Sequence, residues 1–332
     1  MKYILLFDRP SEGNFLLSGL MDKGLPVTLV NSRGSISFVR WLRGCLKALS
    51  LAREDDVIIC WFDFQAILCF FFSRFFLWKR NKILAINLLL KKKKTFKNFV
   101  ITQLYRIALN SDRFAATATS SSFLEDCYTH LGKDIKIFLL HDVNLIDQKY
   151  EKLSSCACDK SVFVGGKNGR DWSLVLNVAQ QMENVEFHLV GEIPHKLKIQ
   201  ALKIKNVNIY SFLPYEKFLE QQASCLITFL PLTTESPAGL IVLFQAAVMH
   251  RMVVMTESLA SREYIIDGER GAFVLKNDVD NAVNVLSYYL SHTQEREKNI
   301  ENMNKYVETE CSSVVYVDNF FNILKMLGWI SL

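Results

Sequence analysis

Short apolar runs alternate with stretches of helical periodicity twice along this chain of 332 residues. An apolar run of roughly four to eight residues between turn residues is typical of a buried strand, and apolar residues at three- and four-residue spacing are typical of a covering helix. Strands that alternate with helices pair in parallel and are covered on both faces. The alternation therefore predicts an α/β protein with parallel sheets.

The first series of elements occupies residues 1–150, which we predict to be a Rossmann-like domain. Its predicted strands are 3–7, 26–30, 56–61, 82–86, 114–118 and 136–140, and its predicted helices are 15–21, 38–51, 99–109 and 123–130.

Residues 147–160 have no usable period, and a second series follows them. Residues 160–315 are predicted to be a second Rossmann-like domain, and 316–332 a C-terminal helix that packs back on the first domain. Ligands of open parallel sheets bind outside the carboxyl ends of the strands, so the turns that follow strands are the places to look for a site.

Positive charge is concentrated in one part of the first half. The formal net charge is +5, yet no acidic residue stands between Asp63 and Asp112, where ten lysines and arginines do. They include Arg74, Lys91, Lys92, Lys93 and Lys94. One surface is therefore expected to be strongly basic, as on proteins that bind anionic membranes or nucleic acids.

The same part of the chain is rich in aromatic residues. Residues 66–78, which end in Trp78, together with 57–61 approach the ~20 apolar residues of a membrane span. Asp63, Gln65 and Arg74 interrupt this run at 57–78, so strand, turn and helix explain it better. Two interpretations remain: an interfacial helix flanked by lysines, or a buried helix followed by a solvated loop. No nucleic-acid-reading motif accompanies the basic residues, and no nucleic-acid partner is expected.

Eight cysteines lie mostly in apolar runs, and the first residues form a strand signal rather than a signal peptide, so a reducing cytoplasm is expected. Cys156 and Cys158 are the one close pair and lack the partner ligands of a zinc site. No Asp-x-Asp pair occupies a turn. Neither a metal nor a cofactor is expected.

Two turns of the second half are suited to phosphate. In Val164-Gly-Gly-Lys-Asn-Gly-Arg-Asp-Trp172, glycines between a strand and a helix let backbone N–H groups approach an anion, and Lys167 and Arg170 add charge. A turn that serves geometry alone is the alternative. In Glu235-Ser-Pro-Ala-Gly239, a glycine frees the start of an apolar helix, where the helix dipole favours phosphate.

These turns, the proline-aromatic turn at 211–218 and the stretch Arg262-Glu-Tyr-Ile-Ile-Asp-Gly-Glu-Arg-Gly-Ala-Phe-Val274 resemble the C-terminal domain of family 4 glycosyltransferases with the GT-B fold. The resemblance covers residues 160–290. It implies two Rossmann-like domains with parallel sheets facing a central cleft, and a nucleotide-sugar donor held by the second domain.

The resemblance also implies a role for individual residues. The diphosphate would be held by Gly165, Gly166, Lys167 and Arg170. The sugar and its phosphates would be faced by Glu235, Ser236 and Gly239, and the ribose would be approached by Gln245. In the family, seven residues separate two glutamates. Here Gln245 replaces the second glutamate, the position eight before it is Pro237, and Glu235 lies ten before it.

The reaction so implied is a retaining, metal-independent hexosyl transfer, with Glu235, Lys167 and Arg170 as its catalytic residues. The acceptor would be a glycan, with a lipid-linked polysaccharide precursor favoured by the basic and aromatic segment. Lys91 to Lys94, Arg74 and Trp78 would then face an anionic membrane, with the protein peripheral on the inner face of the cell membrane. The alternative is a non-catalytic GT-B-like subunit that binds membrane and a partner enzyme.

Overall fold

The computed structural model describes residues 1–7, 14–32, 37–89, 95–156, 158–235 and 237–330. They divide into two compact units, which we call unit 1 (Met1–Val143 and Ser313–Leu332) and unit 2 (Asn144–Ser312). Each unit is built on a six-stranded parallel sheet. The predicted α/β architecture with two parallel sheets is confirmed.

The sheet of unit 1 has the strand order β2-β1-β3-β4-β5-β6. Its central strands are buried on both faces, which is why they are continuous apolar runs in the sequence. The strands are β1 (Tyr3–Phe7), β2 (Val27–Asn31), β3 (Val57–Cys60), β4 (Lys82–Ala85), β5 (Phe114–Ala118) and β6 (Ile137–Leu139).

Helices cover both faces of this sheet. One face carries α2 (Ser37–Leu51), α3 (Asp63–Phe71), α4 (Phe96–Leu109) and α5 (Ser121–Leu131), and the other carries α1 (Asn14–Asp22) and the C-terminal helix, labelled α13 below (Ser313–Met326). The C-terminal helix begins three residues before the expected 316. It lies close to α1 because Gly19 has no side chain: a Cβ there would stand 2.6 Å from Val317 Cγ2.

The aromatic run at 57–78 forms strand, turn and helix rather than a span. Buried β3 leads into α3, and a π-helix at Phe72–Phe76 continues it. Among the described residues, no helix is long and apolar enough to cross a membrane.

The sheet of unit 2 has the order β12-β11-β10-β7-β8-β9. Its strands are β7 (Cys158–Gly165), β8 (Glu186–Val190), β9 (Val207–Tyr210), β10 (Cys225–Leu230), β11 (Met252–Thr256) and β12 (Ala272–Val274). Its helices are α6 (Trp172–Gln181), α7 (His195–Ala201), α8 (Tyr215–Ala223), α9 (Leu240–Val248), α10 (Ser261–Tyr264), α11 (Val279–Ser291) and α12 (Thr293–Glu310). The sequence patterns had not indicated the short helices α7 and α10.

The stretch without usable period contains a 3-10 helix at Gln148–Cys156, and β7 begins directly after it at Cys158. Tyr150 and Leu153 of that helix pack against the cluster formed by α8 and α9. Buried Arg251 donates to the Leu153 carbonyl oxygen at 3.0 Å and to that of Ala223 at 2.7 Å. Contacts far along the chain therefore order a segment whose own sequence shows no period.

Candidate active site

The two phosphate-type turns lie side by side in unit 2. Gly165 ends β7 and Leu230 ends β10, and these strands are neighbours in the sheet. The turns are joined by a bridge between Arg170 and Leu232 and by a hydrogen bond from the Asp171 N–H to the Pro231 carbonyl at 3.0 Å. They thus occupy the carboxyl edge of the sheet, where ligands of such folds bind.

Arg170 is the charged group at the centre of this edge. Only 8% of the residue is exposed, and burial lowers its pKa to about 10, so the guanidinium stays charged at neutral pH. Nε donates to the Gly165 carbonyl oxygen at 2.7 Å and Nη1 to that of Asn168 at 3.3 Å. Within the described residues, no acceptor takes the N–H groups of Nη2.

Glycines from both turns stand against that guanidinium. Gly166 has φ +112°, and a Cβ there would lie 2.7 Å from Arg170 Nη2. Gly239 has φ +82°, and a Cβ there would lie 3.4 Å from Arg170 Nη1. Only glycine adopts such φ values without strain. The structure therefore brings together Gly165, Gly166, Arg170 and Gly239.

The two helices that begin at this edge differ at their N-termini. The first turn of α6 is closed by Asp171, whose Oδ1 accepts from the Leu174 N–H at 3.0 Å. The first turn of α9 follows Gly239 and has no side-chain cap. An uncapped helix start with positive dipole is a natural place for an anion, so α9 rather than α6 offers backbone N–H groups to a ligand.

Glu235 has partners that the sequence did not reveal. Its Oε1 accepts from Lys276 Nζ and its Oε2 from the Leu259 N–H at 3.0 Å. Lys276 lies just beyond the end of β12. Its position after a strand was the one feature of the sequence that could have marked it as a site residue. The carboxylate is thereby fixed between the loop after β11 and the loop after β12.

The remaining predicted donor residues occupy different surroundings. Lys167 is largely exposed and lies 3.9 Å from the exposed Glu192, a pairing that contributes little stability. Gln245 is buried in α9, and its side chain hydrogen-bonds to the Tyr215 hydroxyl. Burial raises the pKa of that hydroxyl, and the hydrogen bond partly offsets the rise. The Gln245 Oε1 atom has no hydrogen-bond partner in the described part of the chain. Ser236 lies outside the described residues.

The residues predicted to face the acceptor or membrane belong to the first half of the chain. Lys91 to Lys94 lie outside the described residues. Arg74 is exposed in the π-helix, 5.9 Å above the Phe70 ring, and Trp78 follows that helix with 83% of its surface exposed.

Among the described residues, no group of three or more His, Cys, Asp and Glu side chains could hold a metal ion.

Known proteins resemble this chain in sequence over part of its length and in structure over nearly all of it. The family described as "Glycosyl transferases group 1" matches residues 172–306, a range that includes Glu235, Gly239, Gln245 and Lys276 and begins just after Arg170. No curated protein sequence gives a significant match.

Three solved structures show the fold. HepE from Anabaena, in complex with UDP and glucose, has a TM-score of 0.72 at 15% identity, with 98% of this chain and 99% of that chain covered. Sucrose-phosphate synthase from Thermosynechococcus elongatus has a TM-score of 0.75 at 13% identity and full coverage of both chains. The α,α-trehalose 6-phosphate synthase from Burkholderia multivorans has a TM-score of 0.75 at 10% identity, covering 98% and 99%.

These findings define a class of protein. The structural likeness shows the GT-B fold, and the family match falls on the unit that carries Glu235, Gly239 and the uncapped helix. The chain is a glycosyltransferase, as the resemblance in its sequence implied.

The closeness of Gly166 to Arg170 gives a prediction about stability. Gly166→Ala adds a Cβ at a left-handed φ and also presses on a guanidinium that is held by hydrogen bonds, so we expect a loss of ~2–3 kcal/mol in the free energy of unfolding. Gly268→Ala is the matched control, because Gly268 has φ +73° and a Cβ there would meet no atom within 4 Å; its cost should be ~1 kcal/mol. Chemical denaturation measures both, and equal losses would contradict the packing against Arg170.

Proposed function

We propose that the protein transfers a hexose from a nucleotide-diphosphate sugar to a glycan acceptor, and that Arg170 holds the diphosphate. The observation that carries this proposal is the buried guanidinium between Gly166 and Gly239, with Nη2 unclaimed by the described residues and the uncapped start of α9 beside it. A guanidinium and helix N–H groups together are well suited to two adjacent phosphates. The solved neighbours with UDP and UDP-glucose lend support.

In the proposed reaction the bond between the anomeric carbon and the phosphate oxygen breaks, and its electron pair stays on that oxygen. Arg170 and the first N–H groups of α9 stabilise the charge that develops on the leaving diphosphate, and Lys167 turns from Glu192 to join them. The acceptor hydroxyl oxygen forms the new bond to the anomeric carbon, and its proton passes to the departing phosphate oxygen. Stabilisation of a developing negative charge is commonly the largest catalytic contribution.

Glu235 is assigned to the sugar of the donor and Gln245 to its ribose, on the two sides of the diphosphate. The Glu235 carboxylate is fixed by Lys276 and the Leu259 N–H, and we assign it the role of accepting hydrogen bonds from sugar hydroxyls. Ser236, which lies outside the described residues, is assigned to the same sugar by the family resemblance alone. Gln245, whose buried Oε1 has no partner among the described residues, is assigned to a ribose hydroxyl by the family resemblance. A carboxylate held by a lysine can orient a sugar and keep its charge near the anomeric centre, in line with the retaining outcome that we propose.

The acceptor is proposed to be lipid-linked, with the protein peripheral on the inner face of the cell membrane. Lys91 to Lys94 supply charge for an anionic surface. The first turns of α4, which follow these lysines in the sequence, carry the exposed side chains of Phe96 (83%) and Phe99 (61%). Positive charge next to exposed aromatic rings is typical of proteins that lie at a membrane interface.

The role of Arg170 is tested by a conservative change. Arg170→Lys keeps the charge but removes the planar set of donors, so we expect release of nucleoside diphosphate from the donor sugar to fall ~10²–10³-fold. Arg262→Lys is the matched control, because Arg262 is exposed and paired with Glu257. Turnover would be followed by coupled detection of the diphosphate, with folding checked by circular dichroism. Wild-type turnover in Arg170→Lys would refute the assignment, and no release by the wild-type protein from any donor would favour the non-catalytic subunit.

Metal independence is tested separately. Because cationic side chains and helix N–H groups are proposed to stabilise the diphosphate, turnover should be the same in EDTA and in Mg²⁺. A loss of more than about tenfold in EDTA that Mg²⁺ restores would contradict that mechanism.

A further inference from the structure

A wide concavity of about 820 Å³ lies in unit 1, away from the carboxyl ends of its strands. Its lining includes Asn81, which directly precedes β4, and Arg113, which directly precedes β5, so it opens at the amino edge of the sheet. Ligands of the reaction bind such sheets at the carboxyl edge. The concavity is therefore separate from any acceptor site that the sheet of unit 1 provides.

Its lining is cationic. The basic side chains that line it are those of Arg74, Lys79, Arg80 and Arg113. The one carboxylate of the lining belongs to Asp112, which lies 3.0 Å from Lys136 Nζ and is neutralised by it. Among the described residues, no carboxylate lies within ion-pair distance of the three guanidinium groups. These groups therefore have the capacity to bind external anions.

Apolar side chains surround the same opening and are kept in solvent. Trp78 is 83% exposed and Phe75 58%, both in the lining, as is Ile107 at 54%. Trp78 has φ 53°, a conformation that bulky residues rarely adopt. It follows a π-helix, and the backbone is closed there by a hydrogen bond from the Lys79 N–H to the Ser73 carbonyl at 2.8 Å. The backbone thus holds a large ring outside the core, and such strain is typical of functional sites.

We propose that this concavity docks the protein on an anionic phospholipid surface. Arg74, Arg80 and Arg113 bind lipid phosphates, and Trp78 and Phe75 enter the zone between headgroups and acyl chains. The positive charge of the lining favours an anionic partner. The exposed Ile107 favours a bilayer over a nucleic acid, because its aliphatic side chain would leave water in a bilayer but remain in water on a nucleic acid. The inference deepens the membrane part of the proposed function, on which it rests, and assigns the docking to residues other than Lys91 to Lys94.

The test is co-sedimentation of the full chain with vesicles of phosphatidylcholine containing phosphatidylglycerol, and with vesicles of phosphatidylcholine alone. We expect Arg74→Ala/Arg80→Ala and Trp78→Ala each to weaken binding to the anionic vesicles by at least about tenfold. Matched controls are Lys47→Ala/Lys133→Ala, which removes two exposed charges elsewhere in unit 1, and Leu202→Ala, which removes an exposed apolar side chain of unit 2. Both should bind like the wild type.

The outcomes separate this inference from the proposed function. Unchanged binding by Arg74→Ala/Arg80→Ala would overturn the docking site, and if replacement of Lys91 to Lys94 by alanine abolished binding in the same assay, the membrane location would still stand. Equal binding to neutral vesicles, or displacement of vesicles by a single-stranded oligonucleotide at equal affinity, would also overturn it. Release of diphosphate from a soluble donor is measured without vesicles in the wild type and in Arg170→Lys, so donor chemistry is judged independently of the vesicle assay.

Discussion

A largely buried guanidinium must satisfy its N–H groups with the protein, with a ligand or with solvent. Arg170 uses two backbone carbonyls of its own turn, and its third nitrogen is left for something outside the described chain. This arrangement explains neighbouring features that otherwise look unrelated. The glycine at 166 has to leave space for Nη2, the glycine at 239 adopts a left-handed φ beside Nη1, and the bridge from Arg170 to Leu232 holds the two turns together. The phosphate site proposed for the donor is the space that these constraints leave.

The order of strands and helices was predictable because it depends on local periodicity. Strands such as β1 and β5 have the predicted bounds, since each is an uninterrupted apolar run buried on both faces. The start of α5 is equally local, since Ser120 precedes the helix and its Oγ accepts from the Phe123 N–H at 3.2 Å. The 3-10 helix at Gln148–Cys156 was missed because distant contacts, such as Arg251 with Leu153, order it.

The candidate site was predictable as a set of turns but not as a set of partners. Lys276 is 41 residues from Glu235, and no local pattern pairs them. Asp171 belongs to the glycine turn at 164–172, but its side chain caps the first turn of α6. The helix start without such a cap is therefore that of α9. In unit 1 the sequence grouped Arg74 and Trp78 with the lysine run. The structure places Arg74 and Trp78 at the amino edge of the sheet. Leu89, the last described residue before the lysine run, lies at the carboxyl edge, where its N–H donates to Asp63 at the start of α3.

The central claim is that the diphosphate of a nucleotide-sugar lies between Arg170 and the start of α9. A crystal structure of the protein with a nucleoside diphosphate bound tests it most directly. We expect a phosphate oxygen within hydrogen-bond distance of Arg170 Nη2 and another facing the first N–H groups of α9, beyond Gly239. A diphosphate found at the start of α6, or anywhere out of reach of Arg170, would contradict it.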